Sequence, residues 1–518
     1  MKKIQIFDST LRDGAQSEGV SYSVQDKLNI VKALDDFGVS FIEAGIPAAN
    51  PKDLEFFEKA KKLALKNAKL CAFGRTRLKG IRSEDDENLQ SLVSAGTDIV
   101  SIFGKAWDMH VTEILGISPE ENLEMVHDSI EFLKKSGKAV IFDAEHFFDG
   151  YKANKEYALS VLSAAKHSDM ITLCDTNGGM MPDEIFSITK EIRNLFPDMP
   201  LAIHAHNDSG CAVANSIMAV KGGAVSVQGT FTGYGERAGN AELATIIPNL
   251  LLKCGIPCDG NLESLTKTAL TIAEISNMHI DRRRPYIGRS AFAHKGGMHI
   301  DAVKKNPESF EHIDPALVGN KRRFLTSEMS GRGAVMDKIH EFAPEASKDS
   351  AMAKKITDKL KELEHHGYQF EAADASFELM VKRTMGLFRP HFETVLYKTI
   401  GEFPAQDGGV QASAVIHVRV DGQDEITAAI GNGPVNALDT AIRKALSVFY
   451  PELIDVHLTD YKVRVFDTQK ATGAMTRVMI ESTDGVDTWT TVGASSDIIE
   501  ASWFALVDSI EYKLSKKS

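Results

Sequence analysis

The sequence predicts an α/β protein in three parts: a (β/α)8 TIM barrel over residues 1–275, a mainly helical linker subdomain over 276–370, and a C-terminal α+β module over 371–518. Three observations predict it. Short runs rich in Val, Ile, Phe and Leu alternate eight times with stretches of helical period in the first part. Polar residues gather just beyond those runs, where a barrel of this kind places its chemistry. In the last third, alternating strands and two helices of matching pattern imply an internal βββα duplication. A doubly wound sheet is the alternative, but it rarely needs eight parallel strands and usually has a Gly-rich turn after the first.

The eight runs are Ile4 to Asp8, Ser40 to Gly45, Leu70 to Gly74, Asp98 to Phe103, Ala139 to Asp143, Met170 to Cys174, Leu201 to His206 and Ala224 to Thr230. Between them lie helical segments such as Val24 to Phe37, with Leu28, Val31, Leu34 and Phe37 about one turn apart. Each run leads into polar residues: Ser9 to Gln16, Glu43, Arg75, Asp143 to His146, Asp175 to Asn177, and the loop Gly233 to Asn240. The seventh run ends in His204-Ala205-His206. Residues two apart on a strand share a face, so both imidazoles aim at one spot. Neutral imidazole suits divalent first-row metals, and a carboxylate as third ligand would leave positions open for substrate. Two structural histidines bonded to each other or to a loop are the alternative, and the convergence of polar groups from separate strands weighs against it.

The chain has 518 residues, 43% of them hydrophobic, enough for a large core and a further module. A formal charge of −13 argues against nonspecific nucleic-acid binding and leaves small molecules as the expected partners. The five cysteines, Cys71, Cys174, Cys211, Cys254 and Cys258, are scattered through apolar surroundings, as expected of reduced thiols. Without a signal-like start or an apolar stretch of membrane-spanning length, the expected location is the cytoplasm.

Three stretches carry a family resemblance: Asp-Ser-Thr-Leu-Arg-Asp-Gly-Ala-Gln at 8–16, His-Ala-His-Asn-Asp at 204–208 and Gly-Glu-Arg-Ala-Gly-Asn at 235–240. They resemble the signatures of the metal-dependent Claisen condensing enzymes, which include the isopropylmalate, homocitrate and citramalate synthases, with hydroxymethylglutaryl-CoA lyase more distant. The stretches Phe142 to Gly150 and Leu173 to Gly179 look like the citramalate synthase branch. The resemblance implies a divalent metal (Mn, Mg, Co or Zn) held by Asp13, His204 and His206, with Asn240 as fourth or outer ligand. It implies acetyl-CoA and pyruvate as substrates, with Glu145 and Thr176 orienting the keto acid. Arg12, beside the metal carboxylate, is placed to stabilise the developing alkoxide, a task for a fixed charge-assisted donor. A salt bridge between Arg12 and Glu236 is its structural alternative, and Glu236 is itself counted with the catalytic set. Gln16 resembles a supporting residue.

At Asp281-Arg282-Arg283-Arg284-Pro285 the barrel pattern breaks. These arginines, with Arg322, Arg323 and Arg332, are candidates for the phosphates of CoA or simply a solvated face. The stretch Ser290 to Ala302 resembles the family's segment bearing a catalytic histidine, which aligns with His299; His294 is the runner-up. An imidazole suits the removal of an acetyl methyl proton near neutral pH. Phe310 stands where the family usually carries tyrosine. Asp349 to His366 reads as a helix, Ser376 to Val381 and Val415 to Val420 as strands. The helical spacing of Leu438, Ile442, Ala445 and Phe449 recurs as Ile499, Trp503, Leu506 and Ile510. That module reads as a dimerisation unit, and its similarity to the family's regulatory domain implies an isoleucine effector and a homodimer. Rival readings are another keto acid, a lyase, a barrel hydrolase (whose His-x-His normally follows the first strand) and a nonenzymatic amino-acid sensor.

Overall fold

The computed structural model describes residues 3–325, 340, 351–402, 411–466 and 474–516, other than 48, 371 and 486. They form two compact units, Met1–Phe292 with Ile313–Arg322, and Ala293–His312 with Arg323–Ser518. In the first unit eight parallel strands close into a barrel in sequence order: β1 (Gln5–Asp8), β2 (Phe41–Glu43), β3 (Lys69–Arg75), β4 (Ile99–Lys105), β5 (Ala139–Glu145), β6 (Met170–Asp175), β7 (Leu201–Ala205) and β8 (Ser226–Gly229). All eight runs read from the sequence become strands. The helix Val24–Phe37 has its predicted bounds, because Ser23 and Asp26 form a reciprocal capping box at its start and Gly38 takes a left-handed conformation at its end.

The barrel interior is layered. Phe7, Phe41, Cys71, Ile99, Ile141, Met170 and Ala202, from seven strands, pack as a buried apolar plug. Side chains alternate along a strand, so the residues two positions on also point inward. These are Ser9, Glu43, Phe73, Ser101, Asp143, Thr172 and His204, and Ser226 leads likewise to Gln228; all are buried. A largely polar layer therefore sits directly on a dry floor. Two positions further lie Arg75, Phe103, Glu145, Cys174 and His206, at the mouth.

The second unit holds a short parallel pair, β9 (Ala293–His294) with β10 (Arg323–Phe324). Two antiparallel three-stranded sheets follow: β11 (Glu393–Glu402), β12 (Gln411–Val420) and β13 (Gln423–Gly431), then β14 (His457–Phe466), β15 (Met475–Thr483) and β16 (Thr488–Ser495). Each sheet is followed by one helix, Pro434–Leu446 and Ile498–Ser515, which is the βββα duplication. Leu438, Ile442 and Ala445 are buried, as are Trp503, Leu506 and Ile510. The helix predicted over 349–366 spans Ala351–His365, and the expected start at Asp349 lies outside the described residues. One strand expectation is overturned. Residues 376–381 belong to the helix Asp374–Met385, because Phe377, Met380 and Val381, spaced by three and four, all enter one core. The short window also shows alternation, and only burial separates the two periods.

Removing a fully buried plug side chain leaves a void beneath the polar layer. Phe7→Ala is expected to destabilise the barrel by about 3–5 kcal/mol, read as a lower urea midpoint of the barrel transition; an unchanged midpoint would refute the plug's role.

Candidate active site

The mouth is built first by the turn after β1. Asp8 accepts from Thr10 N and Oγ1 at 2.9 and 3.0 Å, while Gly14 N donates to Ser9 O at 3.0 Å. This tight turn brings Arg12 and Asp13 back over the barrel. The Ser9 hydroxyl accepts from Asp13 N at 3.3 Å and donates to Glu43 Oε2 at 2.6 Å. Arg12 Nε donates to the same Glu43 oxygen at 2.6 Å, its Nη1 lies 3.1 Å from Asp13 Oδ2, and its guanidinium sits 4.0 Å above the Phe73 ring. Burial works against the guanidinium's charge, but the carboxylates of Glu43, Asp13 and Asp143 outweigh it and hold it protonated.

The Arg12–Glu236 salt bridge, the structural alternative for Arg12, does not form. Glu43, at the end of β2, occupies the partner's place, and Glu236 is half exposed with its carboxylate 4.0 Å from Arg237. Competition decided this: a buried carboxylate on a strand holds a fixed position, whereas a loop carboxylate in water gains little by pairing.

On the far side, β7 delivers the two imidazoles. His204 Nε2 and His206 Nε2 lie 3.4 Å apart, and they stand 3.5 and 4.0 Å from Asp13 Oδ2. The loop after β8 folds back over this strand end, with Asn207 N donating to Gly239 O and Asn240 N to Gly233 O. Gly239 has φ +90°, and a Cβ there would meet Gly233 O at 2.1 Å, so only glycine permits the fold. It sets Asn240 so that its Nδ2 donates to Asp13 Oδ1 at 2.9 Å. Asn240 thus supports the carboxylate, while its own Oδ1 is buried without a partner.

Asp13, His204 and His206 are the one cluster of metal-ligating type among the described residues. Their three facing atoms are equidistant from a point about 2.1 Å away, the length of a bond from zinc to nitrogen or carboxylate oxygen. Burial drives the His204 imidazole down to about 3 and His206 downward as well, against the pull of Asp13. Burial works to raise Asp13, but Arg12 and the imidazoles outweigh it and bring it to about 2. Two neutral imidazoles and one carboxylate are the donor states a divalent cation requires. The residues fit a metal.

Around the cluster lies a cavity of about 360 Å³ lined by Gln16, Ile46, Phe73, Phe103, Glu145 and Thr176 beside the groups already named. Glu145 pairs with Lys105. Thr176 Oγ1 accepts from His146 N at 2.9 Å, so its own proton is available to a ligand. Arg237, which sequence reasoning did not single out, donates to both Asp208 oxygens at 2.8 and 3.0 Å and to Thr176 O at 2.7 Å, tying together the loops after β6, β7 and β8. Asp143, in the cavity wall, and Gln228 also had no assigned role; the signal for Asp143 was a polar residue two positions beyond the plug residue Ile141, and Gln228 stands two beyond the buried Ser226.

Arg284, one of the candidate phosphate binders, is engaged by Glu242 at 2.8 Å and donates to Thr232 O at 2.8 Å, while Arg323 pairs with Asp374 at 2.9 Å. Arg332 lies outside the described residues. In the second unit His299 is exposed and stacked on Phe310 with ring centroids 4.0 Å apart. His294 is instead tied to the buried Glu311 carboxylate at 3.0 Å.

Fold and site together define an α/β-barrel enzyme with a chelating cluster and a buried guanidinium at the C-terminal mouth. The HMGL-like family model matches residues 3–272, the homocitrate synthase post-HMGL domain-like model residues 286–368, and the LeuA allosteric (dimerisation) domain model residues 371–514. The (R)-citramalate synthase of Aquifex aeolicus is 53% identical over 99% of this chain and 98% of its own. Those of Geobacter sulfurreducens and a Synechocystis species are each 48% identical, over 100% and 98% of this chain and 98% and 96% of their own. The chain belongs to the HMGL-like family, among the (R)-citramalate synthases.

Arg12→Gln is expected to lower kcat by about 10²–10³, the cost of one oxyanion donor, with the protein still folded by circular dichroism. His206→Ala is expected to lower kcat by at least about 10³, as loss of a Lewis acid would; full turnover in that variant without added metal would refute the cluster's role.

Proposed function

We propose that the protein joins acetyl-CoA, pyruvate and water to give (R)-citramalate and CoA. One observation carries the chemistry: Asp13, His204 and His206 close on a single point beside Arg12, in a cavity of about 360 Å³. The choice of pyruvate is supported by the names of the full-length relatives. A divalent ion held by Asp13, His204 and His206, with Asn240 supporting Asp13, supplies Lewis acidity to the ketone of the keto acid.

The chain's own residues supply the rest. Thr176 donates its free hydroxyl proton to the keto-acid carboxylate, and Glu145, braced by Lys105, orients the same molecule. His299, whose exposed ring is steadied by Phe310, takes a proton from the acetyl methyl group. The methyl carbon then bonds to the ketone carbon of pyruvate, and the ketone oxygen gains the electron pair. The charged donors of Arg12, held by Glu43, stabilise that oxygen until it is protonated. Glu236, at the solvated rim, is placed to exchange protons with water. Water finally replaces sulfur at the thioester carbon, leaving a carboxylate and the CoA thiol.

Phe73 and Phe103, stacked with centroids 5.5 Å apart, form an apolar wall of the cavity. They limit the side chain of the keto acid to about a methyl group. The C-terminal module has exposed apolar side chains on its sheets, including Ile400, Ile426, Ile430 and Val465. Such faces suit association between two copies, and this module would also receive isoleucine as feedback effector. Among the described residues no helix is long and apolar enough to cross a membrane, and a cytoplasmic enzyme is the accompanying proposal.

Thiol release should be fastest with pyruvate across a panel including 2-oxoisovalerate and 2-oxoglutarate, and a higher kcat/KM for either of those would reject the pyruvate assignment. Phe103→Ala is expected to raise the relative kcat/KM for 2-oxobutyrate by about tenfold, the scale of one methylene in an apolar pocket. His299→Ala should cost about 10²–10⁴ in kcat, as loss of a general base does; if His294→Ala alone did so, the base would be reassigned. Isoleucine, and not leucine, is expected to inhibit.

A further inference from the structure

Within the buried polar layer, the carboxamide of Gln228 is only half satisfied. Its Nε2 donates to Asp143 Oδ1 at 3.0 Å and to Thr172 Oγ1 at 2.8 Å. Asp143 is fixed from another strand, because Ser101 Oγ donates to its Oδ2 at 3.0 Å. These oxygens set the sense of the amide, with nitrogen toward β5 and β6. Gln228 Oε1 keeps its lone pairs, is buried, and has no hydrogen-bond partner.

The register partner of Gln228 on β7 is His204. Paired residues on neighbouring parallel strands project to the same face, and both of these point into the barrel. His204 Nδ1 is likewise buried without a partner, while Nε2 on the other side of the ring faces Asp13 and His206. A spare acceptor and a spare ring nitrogen therefore stand on directly paired positions, in a space closed to water.

We propose that Gln228 is a positioning residue: its carboxamide oxygen takes the Nδ1–H of His204, which leaves Nε2 unprotonated and aimed at the ligand cluster. The inference rests on reading Asp13, His204 and His206 as metal ligands. A neutral imidazole without this partner distributes its proton over both nitrogens, and the form protonated at Nε2 cannot bind a cation. Ser101, Asp143 and Thr172 act one step further back by fixing which end of the amide faces outward. Residues from four strands other than β7 thus converge on one lone pair, an outer-shell arrangement of the kind that tunes metal ligands.

The test uses the full-length protein stripped of metal and titrated with Mn²⁺, with free Mn²⁺ read by electron paramagnetic resonance. Gln228→Leu is expected to weaken Mn²⁺ binding by about 10–100-fold, the usual effect of losing such a partner, and a dissociation constant within about threefold of wild type overturns the proposal. The paired exchange Gln228→Glu with Asp143→Asn keeps the volume and the internal hydrogen bond, and it restores an acceptor to Nδ1. It is expected to bind Mn²⁺ as tightly as wild type. A tenfold loss there overturns the proposal, and this exchange decides the matter if Gln228→Leu does not fold. Absence of Mn²⁺ binding by the wild-type protein would overturn the metal reading itself, a result distinct from equal binding by wild type and Gln228→Leu.

Discussion

Closing eight strands into a barrel commits every second side chain of each strand to a space that water does not reach. In this protein the lower part of that space is filled by the Phe7 and Phe41 plug, and the part directly above it carries Glu43, Asp143, His204 and Gln228. Charges placed there lose hydration and must find partners inside the protein. Arg12 is the buried cation that answers them. Its guanidinium binds Glu43 and Asp13 and lies close enough to Asp143 to lower that carboxyl, which burial raises.

Strands and loops divide the work. His204, Glu43, Asp143 and Gln228 sit on strands, where ladder hydrogen bonds hold the backbone. Asp13, Asn240 and Thr176 are carried by loops and need their own fixing, which comes from the Ser9 hydroxyl, the return of the loop at Gly239, and Arg237. Two rim residues other than glycine take left-handed backbone conformations, His146 at φ +58° and Arg237 at φ +56°. Each such residue costs of order 1–3 kcal/mol and persists where surrounding contacts over-determine it. The contacts here concern Thr176: the His146 amide donates to its hydroxyl and the Arg237 guanidinium to its carbonyl. Backbone strain is spent on holding one small side chain at the cavity wall.

The second unit follows a different logic. Each three-stranded sheet packs one face against its own repeat's helix, and the second sheet also buries Val492, from its other face, in the core formed with Phe377 and Met380. The first sheet leaves Ile400, Ile426 and Ile430 exposed on its strands. Tyr397 and Trp503, stacked at 4.6 Å, link the first sheet to the second repeat's helix, so the two repeats share a core.

Much of the barrel was legible in the chain because local periods report it: all eight strands, the helix Val24–Phe37 and the His204–His206 pair follow from alternation and helical spacing. The same local reading misassigned residues 376–381, where a six-residue window satisfies both periods and only the core formed by Phe377, Met380 and Val381 chooses between them. It also offered Glu236 as an alternative partner for Arg12, and both residues do line the cavity, but sequence cannot rank two carboxylates by how fixed and how dry they are. By itself the sequence determined which strands form and which side chains share a face, since these depend on spacing along one chain. Only the tertiary structure decided that Glu43 holds Arg12, that Asn240 supports Asp13, and that Gln228 stands beside His204. Those pairings depend on barrel closure and register, which bring together residues from 24 positions apart, as Gln228 and His204, to 227 positions apart, as Asn240 and Asp13.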